Sequence, residues 1–96
     1  MDILTTEHFK PHVGKVVRFR GTPFSLTLER IEGRDEPPPP GFQRAPFLVI
    51  FRGPRDAVIP TGTYECEIEA GPTYSLYVMP IHTAEREWQE YQSAFN

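Results

Sequence analysis

"TYECEIEAGPTYSLYVMP", residues 63–80, decides the fold class. In its first half Tyr64, Cys66 and Ile68 alternate with Glu65, Glu67 and Glu69. A period of two with apolar and charged residues on opposite sides is the pattern of a strand with one buried face. "GPT" then turns the chain, and in 74–80 Leu76 and Val78 point inward while Ser75, Tyr77 and Met79 take the other face. Two strands joined by so short a connection pair antiparallel.

The same period extends upstream. "KVVRFR" (15–20) sets Val17 and Phe19 against Arg18 and Arg20, and "FSLTLERIE" (24–32) sets Phe24, Leu26 and Leu28 against Ser25, Thr27 and Glu29. The intervening "GTP" predicts a hairpin. "PFLVIFRG" (46–53) breaks the rule, because Phe47, Leu48, Val49, Ile50 and Phe51 are all apolar. A strand apolar on both faces is either covered twice or offers one face to a partner. Here either the N-terminal helix or the C-terminal tail covers Leu48 and Ile50, or these residues form an interface with a protein partner or a second copy.

Before the first strand, "TTEHFKPHVG" opens with a helix start: Thr5 or Thr6 as N-cap, Glu7 in the first turn and Gly14 as the stop. Pro11 limits that helix to about a turn or two. The tail "HTAEREWQEYQSAFN" (82–96) has two readings. Trp88, Tyr91 and Phe95 follow a helical spacing, while Tyr91, Ser93 and Phe95 also alternate as a strand would.

At 96 residues the chain fits a single domain, 1–96, with a proline-rich loop at 33–46. Its one cysteine, Cys66, allows no internal disulfide, so an apolar core must hold the fold. The expected architecture is all-β and mainly antiparallel: about six strands in a small barrel or tight sandwich, with one short N-terminal helix. The expected core is Phe9, Val17, Phe19, Leu26, Leu28, Phe47, Val49, Phe51, Tyr64, Ile68, Leu76, Val78 and Phe95. A net charge of −3 with scattered arginines argues against nucleic acid as a partner. The acidic start and the lack of a long apolar run lead us to expect a cytoplasmic chain without a membrane partner.

Three stretches together resemble a family of short bacterial proteins known only as a domain of unknown function. They are Phe9, Val13 and Gly14 near the start; Phe51, Arg52, Gly53 and Pro54 with Pro60, Gly62, Thr63 and Tyr64 in the middle; and Tyr91, Phe95 and Asn96 at the end. The resemblance implies a compact antiparallel β-domain that ends on a strand, which favours the strand reading of the tail from about residue 87. It also implies a loose association with phage-tail-like genes, and it brings no catalytic residues.

No catalytic, metal or cofactor site is expected. His8 and His12 have the i, i+4 spacing of a helical metal pair, but Pro11 between them breaks the geometry, leaving two solvent-facing histidines. Cys66 reads as a buried structural thiol, its acidic neighbours working against a thiolate. Glu65, Glu67 and Glu69 recur roughly 7 Å apart along one strand face. They form a solvated face that pairs with Arg52 or Arg18, or a docking strip for a basic partner.

The expected function is a non-enzymatic protein-interaction or structural accessory module. Its candidate partner-binding residues are Arg34, Pro37, Pro40, Phe42 and Arg44 in the proline-rich loop, and Leu48, Ile50, Tyr77 and Met79 on the strands. "RDEPPPP" (34–40) carries the R-x-x-P-x-x-P spacing of peptides that dock on aromatic grooves, so one alternative is a peptide-motif ligand. Another is a small-ligand β-barrel with a cavity lined by Phe, Tyr and Leu.

Overall fold

The computed structural model describes residues 4–33, 40–41, 46–82 and 87–95. Six strands follow a short helix: α1 (Thr6–Phe9), extended by a 3-10 turn at Lys10–His12, then β1 (Val16–Phe19), β2 (Ser25–Gly33), β3 (Phe47–Pro54), β4 (Gly62–Ile68), β5 (Thr73–Pro80) and β6 (Trp88–Phe95). All pairings are antiparallel, and they close into a barrel in the order β1-β2-β3-β6-β5-β4. The two hairpins expected from the turns, β1–β2 and β4–β5, both form. The tail takes its strand form and completes the barrel between β3 and β5.

The helix begins as its residues dictate. Thr5 is the N-cap, its backbone N–H donating to His8 Nδ1 at 2.9 Å. After Pro11 the chain turns at Gly14, whose φ of +91° is open to glycine and strained for other residues. The helix does not lie on the outside of the sheet. It turns Phe9, fully buried, into one end of the barrel against Tyr74, Phe95 and Phe47, at ring-centroid distances of 5.3, 5.5 and 6.1 Å. Phe47 and Phe95 stack on each other at 4.6 Å beneath it.

A second plug closes the other end. Ile59, in the loop between β3 and β4, is 1% exposed and joins the core. Its backbone N–H donates at 2.9 Å to the hydroxyl of Tyr91, itself fully buried. Between the plugs, Val17, Phe19, Leu26, Leu28, Val49, Phe51, Cys66, Ile68, Leu76 and Val78 fill the lumen. Gly53 is small because Leu26 presses on it: a β-carbon there would run into Leu26 Cδ2.

Ile59, Cys66 and Tyr91 therefore join the expected core, while Tyr64 and Phe95 are only partly buried against it. Tyr64 holds back because its hydroxyl donates to the Pro60 carbonyl at 2.6 Å, which draws the ring toward the loop. His8 and His12 are half-buried, not solvent-facing. His8 caps the helix and meets Tyr74 edge-on, and His12 sits over Gly71.

Candidate interaction face

The order β3-β6-β5 carries a consequence for the side chains that point away from the lumen. Phe47, Val49 and Phe51 face inward, so Leu48, Ile50 and Arg52 face out. On β6 the outward set is Trp88, Glu90, Gln92 and Ala94, and on β5 it includes Tyr77 and Met79. Gln92 stands opposite Ile50 on one side and Met79 on the other. Its Nε2 lies 3.4 Å from Met79 Sδ. Four residues singled out from sequence, Leu48, Ile50, Tyr77 and Met79, thus belong to one outer face spanning three strands. Tyr77 is 54% exposed, and Leu48 and Met79 are half-buried.

Ile50 differs, at 1% exposed. Among the described residues neither the helix nor the backbone of the tail lies over it in the way that one of the two expectations had it: α1 plugs the barrel end, and β6 pairs edge to edge with β3. An ion pair crosses it instead. Arg30 of β2 reaches over β3 to Glu90 of β6, with Nη1–Oε2 at 2.8 Å and Nη2–Oε1 at 3.3 Å. Its Nε also binds Glu32 at 2.7 Å. A bulge between Leu28 and Arg30 brings Arg30 opposite Ile50 while keeping Leu28 and Ile31 directed inward. The two acids hold the guanidinium charge above its ordinary range, and Arg30 in turn holds the Glu90 carboxyl below its own.

Beyond this bridge the face ends in a hollow of about 290 Å³, lined by Thr27, Arg52, Gly53, Pro54, Glu87 and Trp88. Pro54 and Trp88 are direct neighbours across β3 and β6. The Arg52 guanidinium sits 5.4 Å from the centroid of the indole and pairs with Glu29 at 3.1 Å. The hollow therefore joins an aromatic-prolyl floor to one cation and one exposed carboxylate, Glu87. A second hollow, about 340 Å³, opens between the helix and β2 at Thr6, Lys10, Val13, Arg30, Ile31 and Gly33. Both open on the outside of the barrel.

Of the loop residues singled out from sequence, Arg34, Pro37, Phe42 and Arg44 lie outside the described residues, and Pro40 is exposed in a turn. The acidic strip is paired differently from the expectation. Arg20, just past β1, binds Glu67, while Arg52 turns to Glu29 on the other side of the barrel. Cys66 points inward, and burial pushes its thiol up to about 12. The Trp88 hollow escaped the sequence reading because Trp88 stands more than 30 residues from Arg52 and Pro54 along the chain. The available signal was the outward phase of Trp88 once the tail is read as a strand.

Residues 4–95 match the model of a family described as a domain of unknown function, DUF6916, and the chain belongs to that family. No curated protein and no solved structure matches it.

Proposed function

We propose that this family member is a non-enzymatic protein-interaction module that works through the outer face of β3, β6 and β5. The observation that carries the reading is the gathering of Leu48, Tyr77 and Met79 on that face, with Tyr77 more than half exposed. A large exposed aromatic beside apolar neighbours is the composition of a binding anchor, since Tyr contributes contact area at low entropic cost. The face is also firm. Ile50 is locked under the Arg30–Glu90 bridge, so a partner meets a preformed surface. Three of the described residues able to do chemistry have structural contacts: the Cys66 thiol is buried and held protonated, and Glu90 and Glu67 are ion-paired.

The small-ligand alternative is less well supported, because buried side chains fill the lumen from Phe9 to Ile59. The motif resemblance adds an accessory role within a larger assembly. Light scattering and affinity capture on the purified chain test the reading together. Self-association or capture of a discrete protein is expected, weakened about tenfold or more by Tyr77→Asp and unchanged by Thr22→Asp on the β1–β2 turn. Equal capture by both variants contradicts it.

A further inference from the structure

We propose that Ser93 holds a bound water molecule in the barrel wall, at a seam where the main chains of β5 and β6 stop pairing. Ser93 is 2% exposed, and its place on β6 between Tyr91 and Phe95 turns its side chain into the lumen. Its surroundings there are apolar, with Val49 standing opposite it on β3. No described residue forms a hydrogen bond with its hydroxyl. The other hydroxyl on the inner face of β6, that of Tyr91, is taken up by the Ile59 N–H at the far end of the barrel. A buried hydroxyl left without a partner is costly, and folded proteins meet that need with an ordered water where protein groups do not.

The seam supplies the other contacts. The Ile81 N–H donates to the Glu90 carbonyl at 3.1 Å, and Met79, two residues back, stands opposite Gln92. Hydrogen-bonded pairs recur at every second residue of an antiparallel ladder, so Tyr77 and Ala94 are next in line. The β5–β6 register ends before them, although β5 runs back to Thr73 and β6 on to Phe95. Phe9 accounts for the parting. Its ring stands 5.3 Å from Tyr74 on β5 and 5.5 Å from Phe95 on β6, a wedge between the two strands. The N–H and C=O groups that Tyr77 and Ala94 would have exchanged open into the gap beside Ser93. A water there has about three protein partners, the Ser93 hydroxyl, the Ala94 N–H and the Tyr77 carbonyl, as buried waters usually do. This set mixes a donor with acceptors, which suits water and not a cation. The water ties β5 to β6 where their own bonds stop.

The site lies in the wall beneath the outer face and stands whether or not the Tyr77 side chain engages a partner. Two measurements test it. A crystal structure of the native chain at atomic resolution should show an ordered water within about 3 Å of Ser93 Oγ and of a main-chain atom of Tyr77 or Ala94. In urea, Ser93→Ala should unfold at a lower midpoint, its unfolding constant raised about fivefold, because the water loses a partner and the strands lose part of their tie. A dry, unpaired hydroxyl predicts the opposite sign, since replacing it with an apolar group leaves stability equal or higher. The inference is overturned by a Ser93 hydroxyl that has no water beside it, whether dry or bonded directly to a protein carbonyl, or by a Ser93→Ala chain at least as stable as the native one.

Discussion

Tyr91 shows how one residue can carry two kinds of work. Its ring lies fully inside the barrel, while its hydroxyl receives the Ile59 N–H at 2.9 Å and faces the Ala57 carbonyl at 3.5 Å. Removing only that oxygen leaves a buried N–H without its partner, so Tyr91→Phe should lower stability by about 1–2 kcal/mol in urea unfolding. An unchanged midpoint would show that the loop is held by packing alone. The sequence placed Tyr91 on a strand but not on this hydroxyl contact, because a bond to a backbone group 32 residues away leaves no trace in local pattern. Cys66 was more legible, since its inward phase follows from alternation with glutamates. With its thiol raised to about 12 in the fold against about 8.5 unfolded, its stabilisation is intact below about 8.5 and is lost as pH rises toward 12. At pH 8 the native chain should not react with a disulfide reagent, and urea should expose the thiol. Fast reaction without urea would contradict its burial.

At the level of elements, β3 is the strand whose sequence posed the sharpest question. Its double apolar character was legible, but its cover was not: a charged pair from two neighbouring strands lies over Ile50, and such a pair depends on a bulge that no local pattern announces. Because Arg30 lowers the Glu90 pKa, the pair stabilises the fold above the unfolded carboxylate value of about 4.3 and ceases to do so as pH falls through the lower folded value. Glu90→Gln should cost about 1 kcal/mol at pH 7, and the gap to the native chain should close in acid. A gap that persists at about pH 2 would point to packing and not to charge. The helix is the other revealing element. Read from its caps it was only a short helix, and the structure makes it a plug whose working residue is Phe9. Phe9→Ala should remove about 3–5 kcal/mol and loosen the Phe47–Phe95 stack, visible as lost near-ultraviolet dichroism. A near-native spectrum and stability would mean that the barrel end closes without the helix.

For the whole molecule, strand number, direction and most of the core followed from period-two alternation and short turns, because each is a local property repeated along the chain. Closure was legible only as a choice between barrel and sandwich, since it depends on where the tail pairs. The candidate face was half legible. Leu48, Ile50, Tyr77 and Met79 could be named as outward apolar residues, but only the insertion of β6 between β3 and β5 brings them together. A barrel with both ends plugged and its lumen filled leaves its outer surface to meet other molecules, and that is the central claim. The most direct test places a photo-activated crosslinking residue in turn at positions 48, 77 and 79, and at 22 and 65 as controls, in the chain's own cells. The account predicts discrete protein adducts from 48, 77 and 79 and none from the controls. Adducts spread evenly over all five positions, or absent from the first three, would contradict it.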